Sequence, residues 1–436
     1  MLFRDTDSRI IALGFARMAD AVANSFLIIV LPLYIASGNI TGWNLGLTEA
    51  AITGIILGTF GIVNSVIQPL AGQLSDKIGR RKIFILLGLI LLAAFNLSYA
   101  WTTSYLSILA VRIIQAGAVA LTIVGSVALV SELSPKVGRG QNMGIYNSFR
   151  LIGFGAGPLA AGAVVTGGPY LLLGLEITGF EASFYGSAVA ALLSALLVNL
   201  LVSDPDHIRP SKSKMYFKVR SGETGNIFDP IFTLAIATLL MAACIVLLAP
   251  IEPIVNERLG QGPMLFAVEF AAFIGTQAVV QPLLGSLSDS YGRKRFIVWG
   301  LIGLIPATLL QGIVTAPWQM IIARLLQGVT AAMVFAPALA LAGDLAQEGQ
   351  SGAQLSILTV SFGLGLAFGQ FISGFLVEFG YFLPFATGAL LAGMGLLLVH
   401  TQIDDDRQTE DTPATDPDPV KSPACNIKTM KQDFPH

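Results

Sequence analysis

The sequence predicts an all-α polytopic membrane protein, with twelve transmembrane helices in two six-helix bundles related by pseudo-two-fold symmetry. Three observations predict it. The chain is 54% hydrophobic and 12% charged, where a soluble domain carries about a quarter charged residues. Apolar runs long enough to cross a bilayer, roughly 20 residues each, recur twelve times along it. One short polar motif is also written twice, as Gly72-Gln73-Leu74-Ser75-Asp76-Lys77-Ile78-Gly79-Arg80-Arg81-Lys82 and Gly285-Ser286-Leu287-Ser288-Asp289-Ser290-Tyr291-Gly292-Arg293-Lys294-Arg295, 213 positions apart. Each copy lies between two apolar runs, so the halves read as an internal duplication.

The first bundle occupies residues 1–203, with spans expected over 10–37, 48–74, 82–101, 105–132, 141–166 and 182–203. The stretch 167–181 reads as a wide outer loop because Glu176 and Glu181 interrupt it; the alternative is an early start to the sixth span. A polar, basic linker over 204–228 separates the bundles and is expected along the inner membrane surface. The second bundle, 229–402, has spans expected over 229–256, 264–287, 294–315, 317–345, 352–378 and 382–402. The tail 403–436 contains Asp404, Asp405, Asp406, Glu410 and Asp411 among prolines and is expected to be a disordered acidic tail.

Orientation follows from the cations between the spans. One side carries Arg4, Arg9, Lys77, Arg80, Arg81, Lys82, Lys136, Arg139, Arg209, Lys212, Lys214, Lys218, Arg220, Arg293, Lys294 and Arg295, the other only Arg258. The positive-inside rule then places both termini and the linker in the cytoplasm. No cleavable signal pattern precedes the first span, and inner-membrane placement follows for a prokaryotic source. Cys244 lies in an apolar run and Cys425 in the tail, so no structural disulfide is expected. No phosphate-binding loop, metal-ligand cluster or nucleophile triad stands out, which argues against an ATP-driven pump, a hydrolase or any other enzyme. Neither cofactor, metal nor nucleic-acid partner is expected.

The repeat extends beyond one motif. Gln68-Pro69 and Gln281-Pro282 precede the two copies at the same offset. Arg112-Ile113-Ile114-Gln115 matches Arg324-Leu325-Leu326-Gln327, and Glu132 matches Asp344, both at an offset of 212. Leu31-Pro32-Leu33 parallels Ala249-Pro250-Ile251. With the doubled motif after spans two and eight, the chain resembles the major facilitator superfamily over nearly its whole length outside the tail. That resemblance implies two bundles around a central cavity, alternating access and a monomer. In the fifth span, Gly144, Gly153, Gly157-Pro158 and Gly162 resemble the signature of the twelve-span proton-coupled drug antiporters, with Ala161 where that pattern has glycine. The eleventh span has Gly365, Gly369 and Gly374 but no Gly-Pro, an asymmetry also seen in those antiporters. The resemblance implies a secondary active transporter whose partners are protons, a small amphiphilic substrate and the lipid bilayer.

Physical roles follow for these residues. Asp76 suits the positive end of a helix in the opposite bundle. Arg80 is expected to pair with Glu132, and Arg293 with Asp289 and Asp344, forming a latch that stabilises the outward-facing state. Gly72 and Gly285 open the two copies, while Gly79 and Gly292 permit tight turns. Gly144, Gly153, Gly157 and Gly162 form a groove for a neighbouring helix, and Pro158 can bend the span. By resemblance, that neighbour is a helix of the second half, and the pair acts as a hinge.

Ionisable residues within the spans are the strongest functional candidates. Arg17 and Asp20 share one helix face at i, i+3 spacing. Arg112 and Arg150 are placed at similar mid-depth. Asp20, the only carboxylate at that depth in the first half, is the candidate proton carrier with Arg17 and Arg112. A static Arg17–Asp20 or Asp20–Arg112 pair is the alternative. Arg150, Arg324, Tyr34 and Tyr146 are candidate cavity residues. Glu49, Glu252, Glu269 and Glu378 fall near outer span ends, where exposure to water is the simplest reading; Glu252 and Glu269 could also join an outer vestibule. The excess of arginine suits carboxylates or phosphates, so an organic-anion or sugar-type carrier working by symport or uniport is the second reading. A non-transporting receptor is the third.

Overall fold

The computed structural model describes residues 7–42, 44, 46–134, 139–172, 174–205, 219, 227–345 and 351–403. Most of the linker 204–228, the tail beyond residue 403 and Lys136 lie outside the described residues. Among the described residues, twelve helical segments are long and apolar enough to span a membrane. They are α1 (Ser8–Ala36), α2 (Glu49–Ile78), α3 (Arg81–Ser98), α4 (Tyr105–Leu133), α5 (Arg139–Gly167), α6 (Gly179–Leu201), α7 (Pro230–Ile245) with α8 (Glu252–Leu259), α9 (Pro263–Tyr291), α10 (Arg293–Ile313), α11 (Pro317–Asp344), α12 (Ser351–Leu376) and α13 (Leu383–Gln402).

Local chemistry sets their ends. Thr48 accepts from Ala51 N–H, and Ser104 with Ser107 forms a capping box. Thr178 and Glu181 form another at the start of α6. Glu181 therefore marks a helix start rather than a break. The preceding loop holds a short antiparallel hairpin, β1 (Tyr170–Leu172) with β2 (Leu175–Ile177), Glu176 lying on β2. On α1, Asp7 accepts from Arg9 N–H and pairs with its guanidinium, which holds the Asp7 carboxyl below its ordinary range.

The duplicated motif proves to be helix end rather than loop. α2 runs through Ile78, and Gly79 closes it at φ 69°. α9 runs through Tyr291, and Gly292 at φ 95° turns the chain into α10. A residue with a side chain would be strained at either glycine. The end of the molecule bearing Gly79 and Gly292 is called here the motif side, and the opposite end the far side.

The seventh span departs from its counterpart. α1 is continuous through Pro32, whereas the seventh span breaks between Ile245 and Glu252 around a single 3-10 turn, Ala249–Ile251. Pro250 and Pro253 both lack backbone donors there, so several carbonyls lose their helical partners. In a membrane such groups must be satisfied within the protein. Gln327 Nε2 donates to Cys244 O at 3.1 Å, and Arg324 Nη1 to Ile245 O at 3.1 Å. Ser373 Oγ donates to Leu247 O.

Packing repeats the symmetry. Within each half α1 packs on α5, and α7 on α12; between halves α2 crosses α12, and α5 crosses α9. Glycines set the close approach. A Cβ on Gly54 would lie 2.6 Å from Gln370 O, and one on Gly58 2.9 Å from Ala367 O. Gly162 meets Ala267 in the same manner at 2.9 Å. These contacts belong to the far-side ends of their helices. Thr48 Oγ1 also donates to Glu378 there at 2.5 Å. A single apolar cluster drawn from both halves fills the far side, including Leu27, Ile29, Leu31 and Ile35 of α1 with Leu247, Ile251, Val255 and Phe266. Apolar side chains such as Leu70, Leu106 and Leu200 remain exposed on the perimeter, as a lipid-facing belt requires.

Candidate functional site: a buried ion pair and two arginine clusters

The motif-side ion-pair cluster is centred on Arg81, not Arg80, and lies wholly within the first half, so it does not join the two bundles as the expected latch would. Arg81 is buried, and its Nη2 lies 2.6 Å from Asp76 Oδ1 and 2.8 Å from Glu132 Oε1. Its Nη1 donates to Ser75 Oγ at 2.9 Å. Arg80 is the exposed residue that precedes α3, so the expected Arg80–Glu132 pair is corrected to Arg81–Glu132. Asp76, expected at a helix end of the opposite bundle, is bound to this arginine of its own half. In the second half Arg293 bonds Asp289 at 3.1 Å and also pairs with Asp344. Gly72 approaches Val124 of α4, while a Cβ on Gly285 would meet open space.

The fifth-span glycines divide between two neighbours. Gly153 abuts Met18 O and Ala21, and Gly157 abuts Val22 O and Ser25, all on α1 of the same half. Gly162 alone of the motif meets the second half, against Met264 and Ala267 of α9, and Gly144 faces open space. The expectation that these glycines jointly face a second-half helix is thus corrected. Gly153 and Gly157, four residues apart, share a face, whereas the five residues from Gly157 to Gly162 turn the contact by about 140°, so one helix can hold α1 with one stripe and α9 with another. Pro158 lies between the two stripes, inside α5.

At mid-depth of the first half, Arg17 Nη1 donates to Asp20 Oδ2. Both residues are buried, Asp20 at 1% exposure. The second carboxylate oxygen, Oδ1, has no hydrogen bond among the described residues. Tyr146 lies within electrostatic reach of this pair and shares a hydrogen bond with Ser126 Oγ. Arg150 joins from one turn further along α5. Its Nε donates to Asn147 Oδ1 at 2.8 Å, and its guanidinium lies 5.6 Å over the Phe154 ring. No carboxylate pairs with Arg150 among the described residues, and Arg17 lies within electrostatic reach of it. The cluster therefore carries two guanidinium charges against one carboxylate.

Other candidates fall elsewhere. Arg112 bonds Gln115 Oε1 at 2.6 Å and lies 4.2 Å over Phe60, so it braces α4 against α2 instead of joining Asp20. Arg324 is fully buried, held to Ile245 O and Gln327 and lying 4.5 Å over Phe273. It secures the broken seventh span rather than lining a cavity. Tyr34 donates to Thr102 O at 2.9 Å and packs on Phe180 and Phe184 at the far side. Glu252 and Glu269, read as water-exposed, are 0% and 1% exposed. Their sequence signal was Pro250 and Pro253, which break the span and turn Glu252 inward. Among the described residues no metal-binding cluster of histidine, cysteine and carboxylate occurs.

A family model described as the Major Facilitator Superfamily matches residues 13–230 and 234–432. The chain belongs to the major facilitator superfamily. Its twelve-span fold is shared with solved structures. The bacterial Spinster homologue, inward-facing and unoccupied, superposes at TM-score 0.69 and 16% identity, covering 91% of this chain and 97% of that one. The human organic anion transporter MFSD10 superposes at 0.66 and 19% identity over 90% and 98%. Among curated relatives, the class B tetracycline resistance protein of Escherichia coli is 32% identical over 184 residues, 42% of this chain and 46% of that protein. The chain thus spans less than half the length of the tetracycline resistance proteins it matches. Quinolone resistance protein NorA of Staphylococcus aureus is 23% identical over 384 residues, covering 86% and 91%.

Proposed function

We propose that this transporter is a proton-coupled exporter of small amphiphilic molecules, working by alternating access, with the motif side facing the cytoplasm and both termini on that side. In that orientation the apolar far-side cluster closes the outer face of the protein in the present structure. The observation that carries the coupling reading is the buried Arg17–Asp20 pair beside the unpaired guanidinium of Arg150. The relatives that confer tetracycline and quinolone resistance, and the fifth-span glycines, support the substrate class.

Charge arithmetic links proton and substrate. Ionised Asp20 neutralises Arg17 and leaves one net positive charge in the cluster. Protonated Asp20 leaves two. A cationic amphiphile is repelled by the second state and tolerated by the first, so proton and substrate alternate at the site, which is antiport. An organic anion has the opposite preference and would travel with the proton. The unpaired Arg150 favours that second reading, an organic-anion carrier working by symport.

Proteoliposomes with an internal pH dye test both. A gradient of a cationic amphiphile should drive protons the opposite way. Protons moving with an anionic amphiphile would select the second reading. Substrate flux without proton movement would contradict proton coupling in either form.

A further inference from the structure

We infer that Glu252 and Glu269 form a protonation switch on the far side, holding their protons while the two halves are closed there and releasing them when the halves part. Glu252 is the first residue of α8, immediately after the break, and Glu269 lies in the second turn of α9. Both are fully buried. None of their four carboxylate oxygens completes a hydrogen bond among the described residues. The amides of Asn256 and Gln261 lie beside them, and each glutamate is within electrostatic reach of the other or of Arg324. Arg324 is the buried cation within electrostatic reach of Glu269, but it donates to neither glutamate, its Nη1 being engaged by Ile245 O and Gln327 Oε1, and one cation cannot balance two carboxylates.

Burying an unpaired carboxylate as an anion is far costlier than burying it as the neutral acid. Two such groups side by side add mutual repulsion. The closed far side therefore favours proton retention by this pair, which has two carboxylates and one buried cation in reach. What closes it is the apolar cluster shared by α1 and the broken seventh span, and α1 packs directly on α8. Separation of the halves on this side withdraws α1 from α8 and admits water, where the anions are cheap.

The charged and titratable groups facing the pair are few. α11 supplies Arg324, the chain before α13 supplies Tyr381, and α8 supplies Arg258, whose guanidinium lies 4.4 Å over the Tyr381 ring. α1 presents apolar residues and Tyr34, which is bound to Thr102 O. α5 carries Arg150, which sits with Arg17 nearer the motif side. None of these supplies a cation bonded to either glutamate. Because protons bind the closed state preferentially, acid favours far-side closure and rising pH favours opening.

The inference does not depend on the substrate, and its test reads no transport. Spin labels at Thr103→Cys and Thr315→Cys, exposed far-side positions in opposite halves, would be placed in full-length protein carrying Cys425→Ser and measured by pulsed dipolar spectroscopy from acid to alkaline pH. In the otherwise wild-type protein the population should shift to longer separations as pH rises. Glu252→Gln, Glu269→Gln and the double substitution should stay short throughout. A separation independent of pH in the wild type, or a double variant that still opens at alkaline pH, would overturn the inference. If the glutamine variants do not fold, infrared spectroscopy of the Asp20→Asn protein, which removes the other buried carboxyl among the described residues, decides it: neutral carboxylic acid absorption persisting at neutral pH supports the switch, and its absence overturns it.

Discussion

Arg81 donates to Glu132 at 2.8 Å from the position that Arg293 occupies toward Asp344 in the second half. The two arginines are 212 positions apart, as are Glu132 and Asp344. Each is bound by an acid at the end of the preceding span and by another at the end of the fourth or tenth. The ion-pair cluster therefore recurs in both halves even though its local sequence is out of step by one residue.

Substituting Arg81 should be far costlier than substituting Arg80. Arg81→Gln leaves Asp76 and Glu132 partly buried without their cation, costing roughly 2–3 kcal/mol once their exposure discounts the figure for a fully buried broken pair. Arg80→Gln removes an exposed charge and should change stability by less than about 0.5 kcal/mol. Thermal unfolding in detergent would compare them; equal losses would contradict the assignment.

The two halves should respond differently to loss of the fourth- and tenth-span arginines. Arg324→Ala strips a donor from the Ile245 carbonyl at the helix break, costing on the order of 2–3 kcal/mol in an apolar setting. Arg112→Ala loses a side-chain hydrogen bond and a cation–π contact, on the order of 1–2 kcal/mol. Hydrogen exchange at residues 246–251 should rise in the first variant and not in the second. Unchanged exchange there would show that Arg324 does not hold the break.

Glycines of the fifth span should separate fold from conformational state. Gly153→Val forces α5 away from α1 within one half and should lower thermal stability by about 1–3 kcal/mol. Gly162→Val wedges α5 from α9, so it should open the far side while leaving each bundle intact. Far-side cysteine crosslinking between α5 and α9 would fall in Gly162→Val; crosslinking equal to wild type would contradict this contact as the seal.

Much of the fold was legible because each span is a long apolar run bounded by cations, prolines or glycines, and expected ends fall within a few residues of those observed. The break in the seventh span was not, since Pro32 and Pro250 look equivalent in sequence. The outcome turns on Pro253 and on the side chains of Arg324, Gln327 and Ser373, which reach the freed carbonyls from helices distant in sequence. Arg81 was missed because alignment through Gly79 and Gly292 pairs Arg80 with Arg293. The offset drops from 213 to 212 between that glycine and the arginine, and the Glu132–Asp344 offset already carried the signal. Glu252 and Glu269 were misread because nearness to a span end was equated with exposure, whereas the far-side cluster covers that end. The Arg17–Asp20 pair was visible as i, i+3 spacing on one helix.

The central claim is that Asp20 carries the coupled proton, and Asp20→Asn tests it most directly. In proteoliposomes the variant, fixed with two guanidinium charges and no carboxylate, should bind a cationic amphiphile more weakly than wild type, and the labelled-for-unlabelled exchange that remains should not depend on pH. The variant should lose accumulation driven by an imposed pH gradient. Retained pH-driven accumulation in Asp20→Asn would contradict the account and move proton coupling to another group.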